Sequence, residues 1–264
     1  MLSPSGVVTL LTDFGTQDGF VGIMKGVMLA INPSLHMVDL SHEVPPQDIL
    51  RGALILQSAV SFFPPGTIHV AVVDPGVGSQ RRAILVETQN AFFAGPDNGL
   101  LSLAAPVETV RRIVNLTNTQ YFLSPLSHTF HGRDLFSPVA AHLSLGVSSE
   151  TFGSVVTTME RLFLPQVERT ETQLTGRVLT IDHFGNLVTN ITEADLLPFS
   201  REKLWVSIGP VRIHGLVFTY ASVQVGATAA LINSWGMLEV AVRNGSAAQR
   251  FGAQLGTPVY VSKE

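Results

Sequence analysis

The chain has 264 residues, 45% of them hydrophobic and 14% charged, with a mean hydropathy of +0.32, which excludes a disordered protein and leaves room for one or two domains. It has no cysteine, so a disulfide framework, a thiol nucleophile and any Cys-ligated metal site are excluded, and a reducing compartment fits. Lys and Arg number 16 against 20 Asp and Glu, a net charge of -4 that argues against nucleic acid as a partner.

The start of the chain shows no positive segment ahead of an apolar stretch, and no apolar run reaches the ~18 residues of a membrane span. The sequence therefore reads as soluble and cytoplasmic. Residues 7–11 form a short β-rich run that stops at Thr12-Asp13-Phe14-Gly15. Apolar residues then recur at Phe20, Ile23, Met24, Val27, Met28 and Ile31, the spacing of a helix. Residues 36–40 are strand-like, Asp48 can start a helix through about residue 62, and residues 68–73 read as a buried strand. Further strands are expected at 83–87, 91–94 and 110–116, and a helix at 134–145. This alternation predicts an α/β domain over residues 1–165, with a mixed or parallel sheet flanked by helices.

Between about 148 and 173 the pattern loosens, as in a linker. Short strands then follow at 177–182, 187–191, 204–208, 211–216, 228–232, 238–242 and 258–262, predicting a smaller β-barrel-like domain over residues 173–264.

Asp13 falls just past the first strand, where open α/β sheets bind ligands, and its carboxylate can accept from both hydroxyls of a ribose. Capping the following helix is the alternative. Thr12-Asp13-Phe14-Gly15 is no kinase motif, because only twelve residues precede Asp13 and no Gly-rich loop or lysine strand fits in them. In Val73-Asp74-Pro75-Gly76-Val77-Gly78-Ser79-Gln80-Arg81-Arg82 an acid again ends a strand. Arg81 can fold back to pair with Asp74, although a surface turn with solvated arginines fits the same letters. The segment lacks the Gly-Lys-Ser/Thr of a phosphate loop.

Phe130-His131-Gly132-Arg133-Asp134 precedes a helix, with Asp134 suited to its N-cap or first turn and Gly132 to a sharp turn into it. His131 and His128 both qualify as a proton-transfer group or as a structural histidine. Gly95-Pro96-Asp97-Asn98-Gly99 has the composition of a plain turn. Ile181-Asp182-His183-Phe184-Gly185-Asn186 places an acid, an aromatic and an amide together, as a hairpin turn or as a purine and ammonium site. Asn233-Ser234-Trp235-Gly236 is a β-turn or a cradle for a carboxylate.

Taken in order, Leu11 to Gly15, Val73 to Ser79, Gly95 to Gly99, Phe130 to Asp134, Asp182 to Asn186 and Asn233 to Gly236 resemble the motifs of the S-adenosyl-L-methionine hydroxide adenosyltransferases, or S-adenosyl-L-methionine hydrolases (adenosine-forming), relatives of the fluorinase and chlorinase. The likeness spans residues 8–261. It implies an α/β domain followed by a β-barrel-like domain, a homotrimer, and a substrate held between the first domain of one subunit and the second domain of its neighbour. It implies a catalytic triad of Asp74, Arg81 and His131, preferring His131 over His128. Asp13 would hold the ribose, Phe184 and Asn186 the adenine, Asp182 the methionine ammonium and Ser234 its carboxylate. Tyr220 would pack on adenine, and Glu239 and Val242 lie in the strand closing the site. No metal or cofactor is implied.

The implied reaction is attack of water on C5′ of S-adenosyl-L-methionine, giving adenosine and L-methionine. A halogenase on the same scaffold is disfavoured, because Asp74 and His131-Gly132 stand where the halogenases resemble a Tyr and a Tyr-Ser pair. A binding protein without turnover is the other alternative; a metallohydrolase lacks its His pairs. Arg243-Asn244-Gly245-Ser246 departs from the Asn-Gly-Gly-Asn of hydrolase relatives.

Overall fold

A computed structural model describes residues 2–263, and the chain divides into two compact units, Met1–Leu162 and Phe163–Glu264. The first unit runs β1 (Val7–Thr12), α1 (Phe20–Ile31), β2 (His36–Ser41), α2 (Ile49–Val60), β3 (Thr67–Val72), β4 (Ala83–Thr88), β5 (Ala91–Pro96), β6 (Val110–Leu116), α3 (Ser137–Ser144) and β7 (Gly153–Val156). They form one mixed sheet in the order β2-β1-β3-β5-β4-β6-β7. The four strands from β2 to β5 are parallel, and β4, β6 and β7 extend the sheet antiparallel.

Every residue of β3, β4 and β5 is buried, because helices cover both faces. Val8, Leu10, Ile68, Val70 and Phe92 point to the side packed by Met24, Met28 and Val139 of α1 and α3, while Leu11, Ala71 and Phe93 meet Ala53 and Leu56 of α2. This is the two-residue alternation of a strand with both faces occupied.

Two local features depart from the sequence expectations. The helix expected from Asp134 begins earlier, as a π-turn over Gly132–Phe136 that runs into α3. Of the two places expected for Asp134 it takes the first turn and not the N-cap: it is buried there, accepts from the Ser127 amide at 2.8 Å and pairs with Arg133. The expected linker contains β7, an edge strand paired with β6. Gly153 permits that pairing, since a Cβ there would stand 2.0 Å from the Asn115 carbonyl oxygen.

His69, in the middle of β3, is fully buried. Its Nδ1 lies 2.7 Å from Thr9 Oγ1, and its Nε2 has no hydrogen-bond partner. Burial lowers its pKa to about 4. The folded value lies below the unfolded one, so the unfolded chain binds a proton that the native state excludes. Stability is full above the unfolded pKa of about 6.5 and declines as pH falls toward 4. The loss attributable to His69 is about 3 kcal/mol. Urea unfolding of wild type and His69→Gln at pH 7 and pH 4.5 should show wild type losing about 2–3 kcal/mol more than the variant; parallel losses would refute this.

The second unit runs β8 (Glu168–Arg169), β9 (Gln173–Ile181), β10 (Leu187–Thr192), α4 (Glu193–Leu196), β11 (Trp205–Ile208), β12 (Val211–His214), β13 (Thr228–Ile232), β14 (Met237–Val242), α5 (Ala247–Phe251) and β15 (Pro258–Ser262). Its strands are antiparallel in the order β12-β11-β15-β9-β10-β14-β13, with β8 added on β9. The end strands β12 and β13 approach each other, so the sheet is a nearly closed barrel around Leu174, Val178, Ile191, Val206, Val240 and Val259. Gly176 allows β9 and β10 to pack closely: a Cβ there would meet Ile191 Cγ1 at 2.4 Å and Asn190 Oδ1 at 2.6 Å.

Candidate functional site

In the first unit, β1, β3 and β5 are parallel and end on the same edge of the sheet, so the residues after them share that edge. The loop from Val73 to Arg82 is pinned at both flanks by the turn after β5. Asn98 Nδ2 donates to the Val73 carbonyl at 2.9 Å, and Asp97 pairs with Arg82 at 2.6 Å. Gly95 to Gly99 is therefore more than a plain turn. Gly78, at φ +76°, seats the loop on the next segment, because a Cβ there would lie 2.3 Å from the His128 carbonyl oxygen.

Within this loop Arg81 does fold back on Asp74. Its Nε donates to Asp74 Oδ1 at 2.9 Å, and its Nη2 donates to Oδ2. The same Nη2 lies 2.9 Å from His131 Nδ1. Both partners of the ion pair are largely buried, at 4% side-chain exposure for Asp74 and 11% for Arg81, so the pair acts in a poorly screened environment. The π-turn serves this cluster: His131 immediately precedes it, and its last residue, the buried Phe136, lies 5.7 Å beneath the Arg81 guanidinium. Ser137 Oγ donates to the Gly132 carbonyl at 2.7 Å across the turn. Burial chiefly, and then the Arg81 charge, lower the His131 pKa; Asp74 and Asp134 oppose this, and His128 adds slightly to the lowering. The His128 residue itself is exposed.

Asp13 does not cap α1, whose N-cap is Gly19 without a side-chain bond. Its Oδ2 instead accepts from the Gln47 amide at 2.8 Å, and Gln47 adopts φ 67° to donate it. Phe14 and Phe130 meet edge-to-face at 5.9 Å, drawing the Asp13 loop toward the segment that carries His131. Gly132 is needed for this close packing rather than for a turn, since a Cβ would stand 3.1 Å from Met24 Sδ.

The second unit holds its own cavity of about 1010 Å³, lined by Asp182, Phe184, Asn186, Tyr220, Ser234, Glu239, Val242 and Arg243, among others. Asp182 Oδ1 accepts from the Phe184 and Asn186 amides, each at 2.8 Å, and Oδ2 from Asn186 Nδ2 at 2.8 Å. Asn186 is thereby oriented with its side-chain oxygen left over. Phe184 is 73% exposed, an aromatic face offered rather than packed.

Glu239, 2% exposed, accepts from Tyr220 Oη at 2.7 Å and Asn233 Nδ2 at 3.1 Å. Burial raises its pKa, the two hydrogen bonds oppose this, and Asp182 adds to the rise. Burial and the bond to Glu239 likewise raise the Tyr220 phenol above its usual range. The cavity wall thus carries two carboxylates, Asp182 and Glu239, both met by neutral donors, and one arginine, Arg243. Arg243 turns its Nη1 onto the Val223 and Ala221 carbonyls at 2.7 and 3.3 Å, just after Tyr220. The Tyr220–Glu239–Asn233 network, Phe136 and the Gln47 amide were not legible from spacing. Among the described residues, no three His, Asp or Glu side chains gather as ligands for a metal ion.

The fold and these clusters belong together in one family. Family models for the S-adenosyl-L-methionine hydroxide adenosyltransferase N-terminal and C-terminal domains match residues 8–153 and 176–260, and the chain belongs to this family. It is 39% identical, over 99% of both chains, to an (R)-S-adenosyl-L-methionine hydrolase of Salinispora tropica. A hydrolase of the same name from Thermus thermophilus is 40% identical, over 96% of this chain and 98% of its own. A fluorinase of an Actinoplanes species is more distant, at 26% over 97% of each chain. The crystal structure of a conserved protein from Thermotoga maritima superposes with a TM-score of 0.90 at 34% identity, covering 97% of this chain and all of that one.

Proposed function

We propose that this protein hydrolyses S-adenosyl-L-methionine at ribose C5′, giving adenosine and L-methionine. The observation that carries the reading is the Asp74–Arg81–His131 cluster, set on the ligand-binding edge of the sheet in a chain similar end to end to proteins named for this activity. The leaving group departs as a neutral thioether and needs no acid. The difficulty lies in a weak nucleophile, which calls for a positioned water and a proton acceptor.

Asp13 holds the ribose hydroxyls. Phe184, Asn186 and Tyr220 receive adenine, with Val242 in the closing strand. Asp182 and Ser234 take the methionine ammonium and carboxylate, and Glu239 anchors Tyr220 from below. The second-unit cavity sets two carboxylates against one arginine, an excess of negative groups that suits a substrate whose sulfonium and ammonium outnumber its one carboxylate. The substrate is an intracellular metabolite, so this reading puts the protein in the cytoplasm. It needs no metal or cofactor. The assembly is a homotrimer in which the first unit of one subunit and the second unit of its neighbour share a substrate, and light scattering should return three chains per particle.

Chelator-treated protein incubated with S-adenosyl-L-methionine should release adenosine and methionine in equal amounts, followed by chromatography. Binding without product would leave a receptor rather than an enzyme, and a halide-dependent 5′-halo-nucleoside would make it a halogenase.

A further inference from the structure

Four of the five N–H hydrogens of Arg81 have partners. A guanidinium carries five N–H groups and no acceptor. The Nε–H and the Nη2–H on the same edge of the fork engage the two oxygens of Asp74. The other Nη2–H points away from that edge and meets His131 Nδ1 at 2.9 Å, while Nη1 donates to the Arg82 carbonyl at 3.3 Å. Facing a group that only donates, His131 Nδ1 must accept. A neutral imidazole carries one N–H, which is then on Nε2. Burial and the adjacent guanidinium both favour the neutral ring.

A ring in this tautomer has no lone pair to spare at Nε2. Asp74 does: each of its oxygens accepts once from Arg81 and retains a second acceptor site. From this hydrogen count, and resting on the hydrolase reading above, we infer that His131 is not the base of the reaction: its Nε2–H donates to the attacking water and orients it, and Asp74 takes the proton. As the water oxygen forms its bond to C5′, the C5′–S bond breaks with its electron pair going to sulfur. Methionine leaves as a neutral thioether. The proton shed by the water passes to Asp74 and then to solvent, leaving neutral adenosine. Arg81 is the part that makes the assignment, holding Asp74 with two hydrogens and fixing the histidine tautomer with a third.

Ring nitrogen-15 spectra of the histidines, with His131 identified by its absence in His131→Gln, test the tautomer directly at pH 8. Protonated Nε2 with unprotonated Nδ1 is expected; the opposite pattern overturns the inference. Kinetics test the role. The amide nitrogen of Gln reaches the position of Nε2 and still donates, so His131→Gln should keep kcat within about tenfold of wild type, the worth of one hydrogen bond. His131→Ala should fall further, and Asp74→Asn furthest of the three. A Gln variant as slow as Ala, with substrate binding and circular dichroism unchanged, overturns the donor role. The spectra need no turnover, so wild type that binds substrate but releases no adenosine would sink the hydrolase reading while leaving the tautomer standing.

Discussion

Asp74→Asn lowers kcat for adenosine formation by about 10²–10⁴-fold, the range over which a positioned proton acceptor contributes, while the substrate dissociation constant changes by less than about threefold. The geometry argues for an effect at the upper end. An amide keeps one oxygen for Arg81 and turns an NH2 group against the other guanidinium hydrogen, where Asp74 now accepts from both Nε and Nη2. Two donors cannot share that contact, so Arg81 must rotate, and its hydrogen bond to His131 Nδ1 is lost with it. One substitution thus removes the acceptor and unfixes the histidine.

The guanidinium, only 11% exposed, would also lose its counter-charge and face Phe136 alone, so the melting temperature should fall as well. Single-turnover rates at saturating substrate, with binding measured separately by calorimetry, distinguish the chemical step from a folding defect. Wild-type turnover in a folded Asp74→Asn protein would remove this carboxylate from the mechanism.

The sequence exposed those parts of the molecule that are governed by short-range rules. Alternating strands and helices in the first unit follow from apolar period alone, and Asp48, expected to start a helix, caps α2 by accepting from the Arg51 amide at 2.9 Å. Strand ends carrying acids located Asp13 and Asp74, because parallel strands deliver their C-terminal ends to one edge.

The π-turn before α3 was hidden because its cause is tertiary. It exists where Gly132 packs on Met24 and Phe14 and where the buried Asp134 holds the Ser127 amide, contacts that no local period encodes. β7 escaped for a different reason: Gly153-Ser154-Val155-Val156 is too short to show alternation, and as an edge strand it leaves Val155 57% exposed. In the second unit, Arg243 stood out as a departure, but only coordinates show it tied to the carbonyls at 221 and 223. There it braces the turn bearing Tyr220 while its side chain forms part of the cavity wall. The buried Glu239 was similarly visible as a strand residue, whereas its two donors come from residues 19 and 6 positions away.

Asp13→Asn raises the substrate dissociation constant at least about tenfold with little change in kcat, and the direction follows from the Gln47 amide. That amide donates to Asp13 Oδ2 from a left-handed backbone held at φ 67°, so it continues to demand an acceptor after substitution. The asparagine oxygen satisfies it, and the NH2 group is therefore the one presented where the ribose diol would bind. A site that accepted from a hydroxyl with a full negative charge now offers a donor. Losing one charge-assisted hydrogen bond is worth about 1.5–3 kcal/mol, which corresponds to roughly tenfold or more in affinity. The ribose lies away from the bond that breaks, so the loss belongs to binding in ground and transition states alike and appears in KM rather than kcat.

A 2′-deoxy analogue sharpens the test. Against wild type it strands an ionised acceptor and binds poorly, while against Asp13→Asn that penalty shrinks, and the two ligands should converge in affinity. α1 is capped at Gly19 and not by Asp13, so the variant keeps the helix, and circular dichroism should match wild type. Equal affinity of wild type and Asp13→Asn for the ribose substrate would show that this carboxylate serves only to hold the Gln47 loop.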